Sequence, residues 1–277
     1  MLFVALASAT IASAIKTSPA ALRQFGALST HGVAATRFAD ANDAYALLEP
    51  IRDAFDELRS VHPDALAPQL EPPAPGTTLH AKDAKFHCYA AGTTRAMRWL
   101  YAADESTLEL FEPLAAHFRP HFDMTVSAAG WDGDDDGAPL TVLSAASFVA
   151  VVGADEGISD EIARWHEDWG ACGDHEAFSV LLPMHHVTHT AQKAYRLEYR
   201  TWENDRVNVY DYQLGDAVLV DGRAPHRTAP FSAADLEQAD GVRVLVCLNF
   251  ASTDPAARDG QLDTMRRQTP NFFHLPH

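Results

Sequence analysis

The sequence predicts a mainly β fold, a sandwich or jelly roll, with helices flanking it on the N-terminal side. Two observations carry this reading. Between residues 40 and 118 apolar side chains recur at helical spacing, whereas from residue 125 they form short runs bounded by Gly, Pro and Asp. The length of 277 residues suffices for a substantial core, and a composition of 47% hydrophobic and 21% charged residues is that of a folded chain. A helical portion over 19–124 and a β core over 125–277 are therefore expected to pack as one unit.

Taken in order, Met1 to Ala14 is apolar and ends in Ala12-Ser13-Ala14, which fits a small-residue cleavage site. The positive charges, Lys16 and Arg23, follow this stretch instead of preceding it. Residues 1–18 thus read as a secretory signal, an organelle-targeting leader or a plain N-terminal element. The first two would place the protein in the secretory pathway or an organelle, the third in the cytoplasm. The apolar stretch is too short to span a bilayer, and no other candidate span occurs.

Asp40 to Ser60 carries Leu47, Leu48, Ile51, Phe55 and Leu58 on one helical face, with Pro50 tolerable near the start of a helix. Pro63, Pro68, Pro72, Pro73 and Pro75, closed by Gly76, make an extended connector. Thr93 to Phe118 is expected to be helical again, interrupted around Asp104 to Ser106 and at Pro113. The strands are expected over Thr141–Val152, Ala177–Met184, Tyr195–Thr201, Arg206–Tyr212, Asp216–Asp221 and Val242–Phe250. Asp132, Asp134, Asp136 and Gly137 imitate part of a calcium loop, but Leu143 stands where its bidentate Glu belongs, so a solvated turn is expected.

Charge and cysteine content exclude several functions. Lys and Arg number 21 against 38 Asp and Glu, a net charge of -17 that cannot meet a phosphate backbone and disfavours an anionic membrane surface. Cys88, Cys172 and Cys247 are far apart, without Cys-x-x-Cys spacing, which excludes a disulfide framework and a structural zinc site and leaves free thiols. Neither a Gly-x-Ser-x-Gly elbow, a P-loop nor a dinucleotide fingerprint occurs.

The chemistry concentrates in Trp165-His166-Glu167-Asp168-Trp169-Gly170. On an extended strand the side chains of His166 and Asp168 share a face and can hold one metal ion together. With 14 His and 25 Asp in the chain, roughly one His-x-Asp is expected by chance, and a second does occur at His121-Phe122-Asp123. Context favours the former. Downstream of it stand the strand Gly215-Asp216-Ala217-Val218-Leu219-Val220-Asp221, then His226, then Arg243 opening the last strand. Two His and one carboxylate with open positions opposite suit non-haem Fe(II). His185, His186 and His189 resemble half of a zinc-protease motif, but His186 replaces the catalytic Glu, so a polar or substrate-contacting loop is expected there.

This order of elements, over roughly Ser159 to Ser252, resembles the Fe(II)/2-oxoglutarate-dependent dioxygenases, most of all their phytanoyl-CoA-hydroxylase-like and prolyl-hydroxylase-like branches. The resemblance implies a double-stranded β-helix, a jelly-roll core, with Fe(II) held by His166, Asp168 and His226. It also implies 2-oxoglutarate as co-substrate, its distal carboxylate on Arg243, with ascorbate as an assisting reductant. The activity implied is hydroxylation of a C–H bond in a small-molecule or peptidyl substrate, with release of succinate and CO2. Leu245 stands where many relatives carry a Ser, so Thr228 is the expected second contact to 2-oxoglutarate, and Arg227 rivals Arg243 for the carboxylate. The alternative is a cupin-like jelly roll that binds a metal or a sugar without oxygenase turnover.

Overall fold

The computed structural model describes residues 28–67, 85–90, 97–133, 137, 139–152, 158, 163–238 and 242–268. The N-terminal leader, most of the Pro-rich connector and two acidic residues of the calcium-like turn, Asp134 and Asp136, lie outside these residues.

Among these described residues, ten strands form two antiparallel sheets. They are β1 (Val33–Arg37), β2 (Phe86–Ala90), β3 (Met97–Ala102), β4 (Thr141–Val152), β5 (Ala177–Pro183), β6 (Arg196–Thr201), β7 (Asn204–Asp211), β8 (Asp216–Asp221), β9 (His226–Thr228) and β10 (Val242–Ser252). The large sheet runs in the order β1-β8-β5-β10-β4-β3-β2 and the small one β7-β6-β9. Together they make a jelly-roll core.

Alternation along β10 shows how the layers are filled. Val244, Val246, Leu248 and Phe250 join the core beneath the helices α1 (Ala41–Leu47), α2 (Glu49–Val61) and α3 (Arg119–Ala128). Leu245 and Cys247 point the other way, into a second core shared with Leu197 of β6 and with Tyr195 and Tyr212. The central strands β4, β5 and β10 are thus largely buried on both faces, which is why they read as continuous apolar runs. On the helical side Phe148 packs against Phe55, Phe86 and Phe111, with ring centroids 5.0, 5.0 and 5.8 Å away.

The predicted strands agree with those observed to within two residues at each end, and the helix expected over Asp40 to Ser60 is two, α1 and α2, with Pro50 in the first turn of α2. The N-terminal portion departs from expectation. Of the helix expected over Thr93 to Phe118, Met97–Ala102 is strand β3 and only short turns, Glu105–Leu108 and Glu112–Ala115, are α-helical. Met97, Leu100 and Tyr101 have helical spacing, but β3 is covered on both sides, so apolar residues on opposite faces imitate a helical stripe. Strands β1, β2 and β3 make this portion part of the large sheet, and α3 continues through the expected boundary at residues 124 and 125. No helix among the described residues is long and apolar enough to cross a membrane.

Replacing Phe148 by Ala removes the ring that joins three aromatic neighbours, and urea unfolding should show a loss of about 3–5 kcal/mol. Cys88, Cys172 and Cys247 are buried, and none forms a disulfide among the described residues. Burial pushes the thiols of Cys88 and Cys172 up to about 12 and that of Cys247 higher still, so thiolate is scarce at pH 8. Iodoacetamide at pH 8 should therefore leave all three unlabelled in the native protein and label them in urea, as read by intact-mass spectrometry.

Candidate metal centre and carboxylate pocket

The turn between β8 and β9 places His226, and a carboxylate at the end of β8 holds that turn. Asp221, fully buried, accepts from the Arg223 N–H at 3.1 Å and from the His175 N–H and Nδ1 at 2.9 and 3.0 Å. The Ala224 N–H reaches back to the Asp221 carbonyl at 2.8 Å. The Gly222 carbonyl accepts from Trp169 at 2.9 Å, and a Cβ on Gly222 would stand 2.5 Å from the Cβ of Trp169. Only glycine lets the two segments approach this closely. The segment carrying Asp168 is thereby tied to the turn carrying His226.

A second tie is the isolated antiparallel bridge between His166 and His226, whose backbones exchange hydrogen bonds of 3.1 and 3.0 Å. The extended strand expected through His166 and Asp168 is this single bridge residue, after which the chain turns. The side chains nevertheless converge. Asp168 Oδ1 lies 3.6 Å from His166 Nε2, and Oδ2 lies 3.5 Å from His226 Nε2. Donor atoms of all three fall within 4.8 Å of one another, a spacing that one ion with bonds of about 2.0–2.2 Å can draw together.

Hydrogen bonding selects the tautomer of both rings. His166 Nδ1 lies 3.0 Å from the Arg164 carbonyl and His226 Nδ1 lies 3.0 Å from the Ala224 carbonyl. A carbonyl only accepts, so each Nδ1 carries the proton and each Nε2 turns a lone pair toward Asp168. Burial lowers the affinity of His226 for a proton, and the neighbouring His166 lowers it further against the opposing pull of Asp168. Burial also acts to raise Asp168, but His226, His166 and a hydrogen bond with Ser179 outweigh it, and the carboxyl is held below its ordinary range. A neutral imidazole beside a carboxylate is the state a divalent cation takes up.

These three residues open onto a cavity of about 660 Å³, its mouth included, between the two sheets. Thr228 lines it two residues beyond His226, and Leu181, Leu197, Leu245 and Cys247 make its apolar walls. Arg243 lies on the same face of β10 as Leu245 and Cys247. It is fully buried, its guanidinium stands 5.8 Å from the Tyr195 ring, and none of its three nitrogens has a hydrogen-bond partner among the described residues. Burial depresses its basicity, opposed by Tyr212 and Tyr195.

The Tyr212 hydroxyl is also buried without a partner. Burial raises its pKa, Arg243 lowers it and Asp168 raises it, so this phenol feels both charges. Neither Tyr195 nor Tyr212 was among the residues expected to line the site. Their positions, beside the start of β6 and just after β7, carry no sequence signal.

The other candidates lie elsewhere. Arg227 is on the opposite face of β9 from His226 and Thr228, where Nε and a terminal nitrogen each meet Glu198 Oε2 at 2.6 Å, and it does not compete with Arg243 for a carboxylate in the cavity. His121 and Asp123 sit on α3, where residues two apart diverge by about 200°, and Asp123 instead takes the Thr141 hydroxyl at 2.7 Å. His185 and His186 border a separate cleft with Asp56 and Arg59. Among the described residues, His166, Asp168 and His226 are the group of three donors close enough to share an ion.

No family model and no curated protein matches the chain by sequence. Solved structures do match it. AviO1 from Streptomyces viridochromogenes Tue57 is 15% identical with a TM-score of 0.51, covering 85% of this chain and 96% of its own. The non-haem α-ketoglutarate-dependent epimerase SnoN from nogalamycin biosynthesis is 13% identical with a TM-score of 0.50, covering 84% and 83%. A prolyl hydroxylase from Trichoplax adhaerens, solved with a hypoxia-inducible-factor oxygen-degradation-domain peptide, is 14% identical with a TM-score of 0.51, covering 87% and 90%. At these identities the likeness is one of fold, and the chain has the double-stranded β-helix fold of the Fe(II)/2-oxoglutarate-dependent oxygenases.

Proposed function

We propose that the chain is an Fe(II)- and 2-oxoglutarate-dependent dioxygenase that hydroxylates a C–H bond of its substrate. The observation that carries this reading is a buried, unpartnered guanidinium, Arg243, on the face of β10 that shares the inter-sheet core with the cavity of His166, Asp168 and His226. A charge desolvated without a partner is costly, and a dicarboxylate held at the three ligands supplies the missing anion.

When bound, Fe(II) and 2-oxoglutarate supply an oxidant made from O2, with release of succinate and CO2. The chain supplies the geometry. His166 and His226 present Nε2 because carbonyls hold their Nδ1 protons, and Asp168 adds the negative charge. Arg243 receives the distal carboxylate through its fork of donors, and the Tyr212 hydroxyl is the second donor, where Leu245 offers none. Thr228, the second contact expected from the sequence, contributes from the wall of the cavity. Leu181, Leu197 and Leu245 keep water out of the space between. Ascorbate enters only as a reductant that restores iron to its divalent state.

Purified protein given Fe(II), ascorbate and 2-oxoglutarate should release succinate, and His166→Ala should reduce this to background with loss of stoichiometric metal. Succinate release at the wild-type level from His166→Ala would sink the assignment. Zinc or no metal at the three ligands, with no affinity for 2-oxoglutarate, would favour a binding jelly roll instead. Arg243→Gln should raise the Kd for 2-oxoglutarate by about 100-fold or more while leaving metal content intact, as read by calorimetry.

A further inference from the structure

We propose that the molecule oxidised at this site is uncharged and largely apolar, and lies with a flat ring against the wall formed by Met97, Trp99 and Tyr101. The proposal rests on the oxygenase reading of the same cavity and names the substrate class for it.

The three side chains alternate along β3, so they share one face, and all three line the cavity. The Trp99 and Tyr101 rings meet edge to face at 6.1 Å and 88°, and Tyr101 meets Tyr89 in the same way at 6.5 Å and 70°. Interlocked rings make a stiff wall that loses little freedom when a ligand docks. Strand β4 extends it, because Val149 and Ser147, the register partners of Trp99 and Tyr101, also line the cavity.

This wall stands apart from the place assigned to 2-oxoglutarate. Arg243 belongs to β10, and β3 lies two strands away across β4, about 10 Å at ordinary strand spacing. At its Tyr101 end the wall comes within electrostatic reach of Asp168. A ring on the wall is therefore held beside the metal ligands without displacing the co-substrate.

Charge selects the class of molecule. Among the described residues that line the cavity there is no Lys or Arg, and the one carboxylate, Asp168, is engaged by two histidines. With a divalent ion (+2), Asp168 (-1), 2-oxoglutarate (-2) and Arg243 (+1), the loaded site sums to zero, so an anionic substrate finds no uncompensated positive charge there. A cationic substrate would find no free carboxylate in the lining. An uncharged molecule is disfavoured by neither, and the wall offers it rings for offset stacking.

The test uses the full chain carrying 5-fluorotryptophan, whose five tryptophans give five fluorine resonances, that of Trp99 being the one lost in Trp99→Phe. Without oxygen and saturated with 2-oxoglutarate, the protein is titrated with 2-naphthalenemethanol, 2-naphthoate and 2-naphthylmethylammonium, which share a ring and differ in charge. The neutral probe should shift the Trp99 resonance saturably and bind at least about tenfold tighter than either charged one. Trp99→Ala should weaken it by about tenfold and Trp99→Phe by less, with the other four resonances in place. Equal or tighter binding of a charged probe, or an unmoved Trp99 resonance, would overturn the proposal. Metal and 2-oxoglutarate binding are measured on the same samples. Their loss with probe selectivity retained counts against the oxygenase reading, whereas their retention without selectivity counts against this substrate class alone.

Discussion

The structure depends on central strands that are largely buried on both faces. Strand β10 lies between β4 and β5 in the large sheet, with Val246, Leu248 and Phe250 under the helices and Leu245 and Cys247 against the small sheet. Two-sided burial supplies most of the hydrophobic driving force. It also makes any charge on such a strand expensive. Arg243 is that charge, and it faces the inter-sheet side. None of its three nitrogens meets a described protein group, so the cost is uncompensated within the described residues.

A second constraint joins two distant segments. Residues 166–168 and 221–226 belong to different parts of the chain, and their side chains meet because one two-bond backbone bridge, one further backbone hydrogen bond and one buried carboxylate fix them together. Asp221 gathers hydrogen bonds from Arg223 and twice from His175. The positive φ of His175, 66°, is a conformation that side chains rarely adopt, and it is held by those two bonds. Gly222 against Trp169 and the bridge between His166 and His226 complete the clamp. The backbones of the ligand residues are thus fixed to one another, and the Arg164 and Ala224 carbonyls orient the two rings.

The same layering divides the cavity by chemistry. Polar donors gather where the small sheet closes on the large one, at His166, Asp168, His226 and Thr228. The β3 and β4 side presents Met97, Trp99, Tyr101 and Val149. Rigid strands carry nearly all of these residues, so the separation of the metal end from the aromatic wall is built into strand register.

Much of this was legible from residue order. Of the strands from β4 to β10, all but the short β9 were readable because turn residues bound each apolar run, and the grouping of His166 and Asp168 with His226 was readable from their sequence context. Strand β3 was misread as helix because burial on both faces removes the alternation that distinguishes a strand. Tyr212, Tyr195, Asp221 and His175 were invisible because their roles arise from contacts between residues tens of positions apart. Arg227 rivalled Arg243, the preferred candidate, by residue type, and the alternation of β9 turns Arg227 to Glu198 on the face opposite His226. The sequence by itself determined which residue types stand in which order and hence the layered β architecture. Tertiary structure alone decided which guanidinium is buried without a partner, because desolvation is a property of packing and not of composition.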